Sequence, residues 1–118
     1  KITEISSFPE NDYTDEGQLI GHIVTGTIML DEKIKQIEGF PIKLANELKH
    51  CILSHHGELE FGSPKKPALI EAVALAFADN TDAKIEGFIE LLDANHDKGE
   101  EWLGYSRMFE GNVRATSR

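Results

Sequence analysis

The chain has 118 residues, 40% of them apolar and 28% charged, a composition typical of one globular domain with a modest core and unlike that of a disordered segment. Its formal net charge of −9 argues against nucleic-acid binding by a basic surface of its own, although bound divalent cations would reverse that charge locally. The single cysteine, Cys51, excludes an internal disulfide and a thiolate zinc cluster, and its apolar helical setting predicts a buried, inert thiol. With no signal peptide and no apolar run of about 18 residues, we expect a cytoplasmic location.

The first half of the chain predicts two helices. Residues 1–12 are expected to be irregular, because serine, proline and asparagine interrupt them. Thr14 or Asp15 can cap a first helix, in which apolar residues recur at steps of three and four until Gly39 ends it. Pro41 fits the first position of a second helix that runs to about residue 56, where Gly57 is placed as the left-handed terminating residue.

The second half predicts a loop, a long helix and a short one. The loop to about residue 66 is rich in glycine, serine and proline. A long helix then begins at Pro67 and fades over residues 95–99, and its segment 68–78 is so apolar that we expect burial on nearly every side. Residues 101–110 predict a short closing helix, and residues 111–118 a frayed tail. No stretch is a convincing strand, so the predicted fold class is an all-α helical bundle.

Asp79 follows an apolar run and is therefore expected at the dry end of a packed helix. An unpaired carboxylate there would be costly, so it needs a cation or strong hydrogen bonds. The alternatives are a salt bridge to Lys84 or an exposed helix turn.

Three histidines could join Asp79 in a divalent-metal site. His55 and His56 are adjacent and would point about 100° apart on a continuous helix, so they can share one ion only if the helix ends there, or else serve one ion each. His22 lies on the first helix beside small residues that leave room for an ion. Each could instead be structural: a packed or surface His22, a core His55 and a solvated His56. Their occurrence on successive helices favours a metal site, and imidazole and carboxylate suit transition metals, Mg²⁺ or Mn²⁺.

A second pattern is a decoy. His96 and Asp97 form a literal His-Asp doublet, but they lie at the polar end of the long helix. We interpret them as a solvated helix end.

Five strings give the chain a resemblance to the HD-domain metal-dependent phosphohydrolases, and within them to the YhaM-type 3'-5' exoribonuclease branch. They are EGQLIGHI at 16–23, ILSHHG at 52–57, EFGSP at 60–64, EA at 71–72 and ADNTDAK at 78–84. The resemblance covers nearly the whole chain, through the aromatic segment 102–109. It implies a helical bundle in which residues 1–118 form the C-terminal portion of a single HD-type domain.

The resemblance also implies a ligand set and a departure from the family pattern. Asp79 takes the place of the final metal ligand, and His22, His55 and His56 take the places of the later histidines. The first histidine and the His-Asp doublet that name the family are not in the chain, and the resemblance places Lys1 just after that doublet. Either the site is completed by residues outside the chain or it has been lost.

In a complete site of this family, one or two ions such as Mn²⁺, with Mg²⁺, Co²⁺ or iron as alternatives, would lower the pKa of bound water to about 7 and stabilise charge on the phosphoryl oxygens. Asp82 could orient a ligand histidine, and Lys84 and Lys1 are candidates for contacting substrate phosphate. The loop 58–66 would shape the substrate entry. From the 118 residues alone we expect weak metal binding and little or no turnover.

Three functions remain open from the sequence. The first is hydrolysis of phosphodiester bonds in single-stranded RNA or DNA, with a nucleic-acid-binding module elsewhere in the parent protein. The second is an HD-type nucleotide phosphohydrolase. The third is a non-catalytic helical interaction module. No membrane association is expected, and apolar surface left exposed would favour a homo-oligomer.

Overall fold

The computed structural model describes residues 4–7, 12–96, 99 and 101–116. The chain divides into two compact units, Lys1–Phe77 and Ala78–Arg118. Four α-helices, one 3₁₀ turn and one two-stranded sheet account for the regular structure of the described residues, and the predicted helical fold class is confirmed. None of the helices within these ranges has the length and apolar character needed to cross a membrane.

The predicted first helix is two helices in the structure, α1 (Asp15–Leu19) and α2 (His22–Lys35). The Thr14 cap is confirmed, because the Gly17 amide donates to Thr14 Oγ1 at 2.9 Å. The prediction of one continuous helix is wrong at Gly21, whose φ of +77° belongs to the left-handed region and interrupts the helical backbone. Because of this break, His22 is the first residue of α2.

Helix α3 (Ile42–Ser54) follows the predicted pattern, with Pro41 preceding it and Gly57 in the left-handed conformation at φ +80°. It contacts α2, and one ion-pair network joins the two. Asp31 on α2 lies 2.6 Å from the Lys35 ammonium and 2.5 Å from that of Lys49 on α3. Hydrogen bonds from these two lysines lower the pKa of Asp31 from 3.8 to about 2.

After a 3₁₀ turn (Leu59–Phe61), α4 runs from Ile70 to Ala94. The prediction that its first turns are buried on nearly every side is wrong, because Ile70 is 86% exposed and Phe77 68% exposed. Only its small residues Ala72 and Ala76, one turn apart, are buried. An apolar composition indicates what a helix could bury, but the first unit covers one narrow stripe of it. Cys51 is half-buried, so its predicted burial is only partial.

The second unit contains the rest of α4 and an antiparallel hairpin, β1 (Trp102–Ser106) and β2 (Gly111–Arg114). The predicted closing helix over 101–110, the frayed tail and the absence of strands are therefore wrong. The hairpin buries Ser106 and Val113 and exposes Tyr105, an alternation that suits a strand. The hairpin packs on α4 through an edge-to-face contact between Phe88 and Phe109, with ring centroids 5.2 Å apart.

Candidate metal centre

Two elements deliver three imidazole rings to one point in the first unit. His22 begins α2, while His55 and His56 directly follow the last residue of α3. One ring nitrogen from each histidine lies within 4.8 Å of the others, and all three residues are half-buried. The spacing is short enough for three nitrogens to share one metal ion.

The way α3 ends explains how adjacent histidines can face the same point. The last carbonyls of a helix have no partner within it and need donors from elsewhere. His55 Nδ1 lies 2.6 Å from the Ile52 carbonyl oxygen, the Ser63 hydroxyl lies 2.9 Å from that of Leu53, and the Gly57 amide donates to Ser54 at 2.9 Å. The helix therefore stops before His56, so the His56 ring does not have to point about 100° away from the His55 ring.

The loop that follows fixes the second ring. The 3₁₀ turn brings the Phe61 carbonyl oxygen to 2.9 Å from His56 Nδ1. The rings of His55 and His56 then stand edge to face, with centroids 4.5 Å apart. The loop expected from sequence to adjoin the site thus does so by a backbone contact.

The third ring is held by a carboxylate that was not predicted from the sequence. Glu4 is 7% exposed, and its Oε1 lies 3.0 Å from His22 Nδ1. A buried glutamate is rarely found without a charged or polar partner, but its sequence position in an irregular segment gave no sign of burial. Glu4 therefore contacts the His22 ring as an orienting carboxylate would, whereas the orienting role of Asp82 stays a prediction.

These contacts determine which nitrogen of each ring is available. His22, His55 and His56 all have Nδ1 against an acceptor oxygen, so in a neutral ring Nδ1 carries the hydrogen and Nε2 carries the lone pair. Nε2 of His22 and Nε2 of His56 lie 3.2 Å apart. Two lone pairs at that distance repel unless a cation or a proton lies between them, so the donor set fits a divalent ion held by imidazole.

Three other predicted site residues belong to the second unit. Asp79 is exposed, so the prediction of a dry environment is wrong. It lies one turn beyond Ala76 on the same helical face and belongs to the second unit. Asp82 and Lys84 are also exposed on the second unit's part of α4. Their roles, and that of Asp79 as a ligand, stay predictions.

Two further sequence predictions concern residues near the limits of the described ranges. Lys1 lies outside the described residues. His96 is exposed just after α4, as expected for a solvated helix end, and Asp97 lies outside the described residues.

Similarity to known proteins bears on what this centre does. The chain is similar to proteins named 3'-5' exoribonuclease YhaM from Bacillus velezensis (46% identical), Bacillus subtilis (45%) and Bacillus licheniformis (46%), each over 87 residues. The similarity covers 72% of this chain but only 27% of each of these relatives. No family model matches the chain, and no solved structure matches it either. The resemblance to YhaM-type exoribonucleases is confirmed, while membership of the HD superfamily stays a prediction.

Proposed function

We propose that the chain is part of a metal-dependent phosphodiesterase of the HD superfamily that degrades single-stranded RNA or DNA from the 3' end. The observation that carries the proposal is the convergence of three histidines, each with Nδ1 against an oxygen and Nε2 left as a ligand. It is supported by the 45% identity to the Bacillus subtilis protein named 3'-5' exoribonuclease YhaM.

In this proposal His22, His55 and His56 hold Mn²⁺ or a similar ion through Nε2, and Asp79 is the carboxylate ligand that the family resemblance implies. A bound divalent ion supplies water activated near neutral pH and positive charge for phosphoryl oxygens. The chain's own residues hold the rings: the carbonyls of Ile52 and Phe61 and the carboxylate of Glu4 prevent the imidazoles from rotating away.

The loop beside the site offers a surface for a nucleobase. The Phe61 carbonyl contacts His56, whereas the Phe61 side chain is 63% exposed. An exposed aromatic ring beside a phosphate-cleaving site can stack on an unpaired base without regard to sequence. This arrangement fits a substrate that carries an unpaired base, with Lys84 and Lys1 as proposed phosphate contacts.

A second candidate function is a non-catalytic helical interaction module, such as one that forms a homo-oligomer. The exposure of Ile70 and Phe77 on α4 favours it, since large apolar side chains exposed in one unit are typical of protein-binding surfaces. The two functions differ in one measurable respect: an interaction module has no need of a divalent ion for its activity.

The test is hydrolysis by the complete gene product that carries this chain. We expect Mn²⁺-dependent shortening of 5'-labelled single-stranded RNA from its 3' end, strongly reduced by His56→Ala and by Asp79→Ala. The matched control is His96→Ala, which removes an exposed histidine outside the cluster and should leave the rate unchanged. Hydrolysis of free nucleotides in preference to RNA would favour the nucleotide phosphohydrolase, and full activity of His56→Ala would remove the histidine cluster from the reaction.

A further inference from the structure

We propose that Glu4 is a positioning residue that fixes the tautomer of His22 and so keeps the metal centre open for an ion. This inference rests on the proposed metal site and adds to it a residue outside the implied ligand set. It concerns the hydrogen on the His22 ring, which can be measured in the chain without any metal.

The Glu4 carboxylate contacts the His22 ring directly. Its side chain is 9% exposed and its Oε1 lies 3.0 Å from His22 Nδ1. A carboxylate at that distance accepts the Nδ1 hydrogen and so leaves the lone pair on the opposite nitrogen. His22 therefore presents an Nε2 lone pair toward the other two histidines.

The backbone of Glu4 is held separately from its side chain. The Thr14 amide donates to the Glu4 carbonyl oxygen at 3.0 Å, and the same oxygen approaches α1 so closely that a Cβ on Gly17 would lie 2.2 Å from it. A side chain at position 17 cannot be accommodated without moving this backbone. These contacts with Thr14 and Gly17 hold the Glu4 backbone in place and so determine where its carboxylate lies.

The consequence follows from the neighbouring ring. His56 Nδ1 contacts the Phe61 carbonyl, so His56 Nε2 is an acceptor 3.2 Å from His22 Nε2. Without Glu4, His22 can shift its hydrogen to Nε2 and donate it to His56. That hydrogen bond would occupy both ligand atoms, and an ion would have to displace it. Glu4 prevents this closed arrangement by keeping the hydrogen on Nδ1.

The first test is the tautomer of His22 in the metal-free 118-residue chain, read from long-range ¹H–¹⁵N imidazole spectra at pH about 8, where an ordinary histidine is neutral. We expect the Nδ1–H form in the wild type and the Nε2–H form in Glu4→Ala. The control is Glu47→Ala, which removes an exposed glutamate from α3 and should leave the His22 spectrum unchanged. An Nε2–H tautomer in the wild type, or the same tautomer in Glu4→Ala, would overturn the inference.

The second test is Mn²⁺ affinity, measured by calorimetry on the same proteins. We expect Glu4→Ala to bind about 10- to 100-fold more weakly than the wild type and Glu47→Ala to bind equally well. Gly17→Ala keeps the carboxylate but displaces it, so it should weaken binding in the same direction. Equal Mn²⁺ affinity in all variants would overturn the role of Glu4. If the wild type does not bind Mn²⁺, the proposed function is overturned, and the tautomer spectra still decide whether Glu4 fixes the His22 tautomer.

Discussion

Gly17 and Gly26 make a matched pair for testing how the Glu4 segment is held. Both glycines lie in helices, α1 and α2, and neither has a positive φ. A Cβ at Gly17 would lie 2.2 Å from the Glu4 carbonyl oxygen, whereas a Cβ at Gly26 would lie 3.6 Å from the nearest atom, Ile52 Cγ2. The same Gly→Ala change therefore meets backbone at one site and ordinary van der Waals contact at the other.

The expected sizes follow from these distances. A Cβ does not approach closer than 3.0 Å to such an atom, so Gly17→Ala requires a shift of at least 0.8 Å, the difference from 2.2 Å. That shift strains the bond in which the Thr14 amide donates to Glu4. Overpacking of this kind costs about 1–3 kcal/mol, offset by about 1 kcal/mol of helix propensity. At Gly26 the propensity gain stands alone, so Gly26→Ala should stabilise by about 0.5–1 kcal/mol.

Urea unfolding of the two variants, followed by circular dichroism, measures this difference. We expect the free energy of unfolding to fall by up to about 2 kcal/mol in Gly17→Ala and to rise slightly in Gly26→Ala. The reasoning is refuted if Gly17→Ala is as stable as Gly26→Ala, because the Glu4 backbone would then not be confined against α1.

Other predictions follow from single contacts. The lowered pKa of Asp31 means that its ion pairs stabilise the fold above about pH 3.8 and lose this effect as the pH falls through about 2. Acid should therefore destabilise Asp31→Asn less than the wild type in urea titrations at several pH values. Parallel acid curves for the two proteins would contradict this. Ser63→Ala should lower the free energy of unfolding by about 1–3 kcal/mol, because it removes a hydroxyl donor to the Leu53 carbonyl oxygen at a residue that is 3% exposed. The control Ser7→Ala, at an exposed site, should change this free energy little. Phe61→Ala keeps its backbone carbonyl, so the Mn²⁺ affinity should stay constant. Binding of single-stranded RNA by the complete gene product should weaken by about 1–3 kcal/mol when measured by fluorescence anisotropy. An unchanged RNA affinity would exclude stacking on this ring.

Helices and their ends could be predicted because their determinants are local. The Thr14 cap and the left-handed Gly57 each depend on residues within one turn, and both are present in the structure. The hairpin over 102–114 was missed because Trp102, Tyr105 and Phe109 recur at helical spacing and also have strand preference. Periodicity alone does not separate these two readings in a short segment.

The candidate site was only partly predictable for a different reason. The histidines could be found because metal-ligand chemistry is restricted to a few residue types. Glu4 could not be found, because its contact with His22 joins positions 18 residues apart and depends on how the chain passes over α1. Asp79 was assigned a dry environment from the apolar residues before it, but burial depends on what covers a helix, which its own sequence does not specify.

The central claim is that the imidazoles of His22, His55 and His56 together bind a divalent metal ion. Calorimetric titration of the 118-residue chain with Mn²⁺ tests it most directly. The wild type should bind the ion, His56→Ala should bind it at least about tenfold more weakly, and His96→Ala should match the wild type. Absence of Mn²⁺ binding to the wild-type chain, or equal binding by His56→Ala, would contradict the claim.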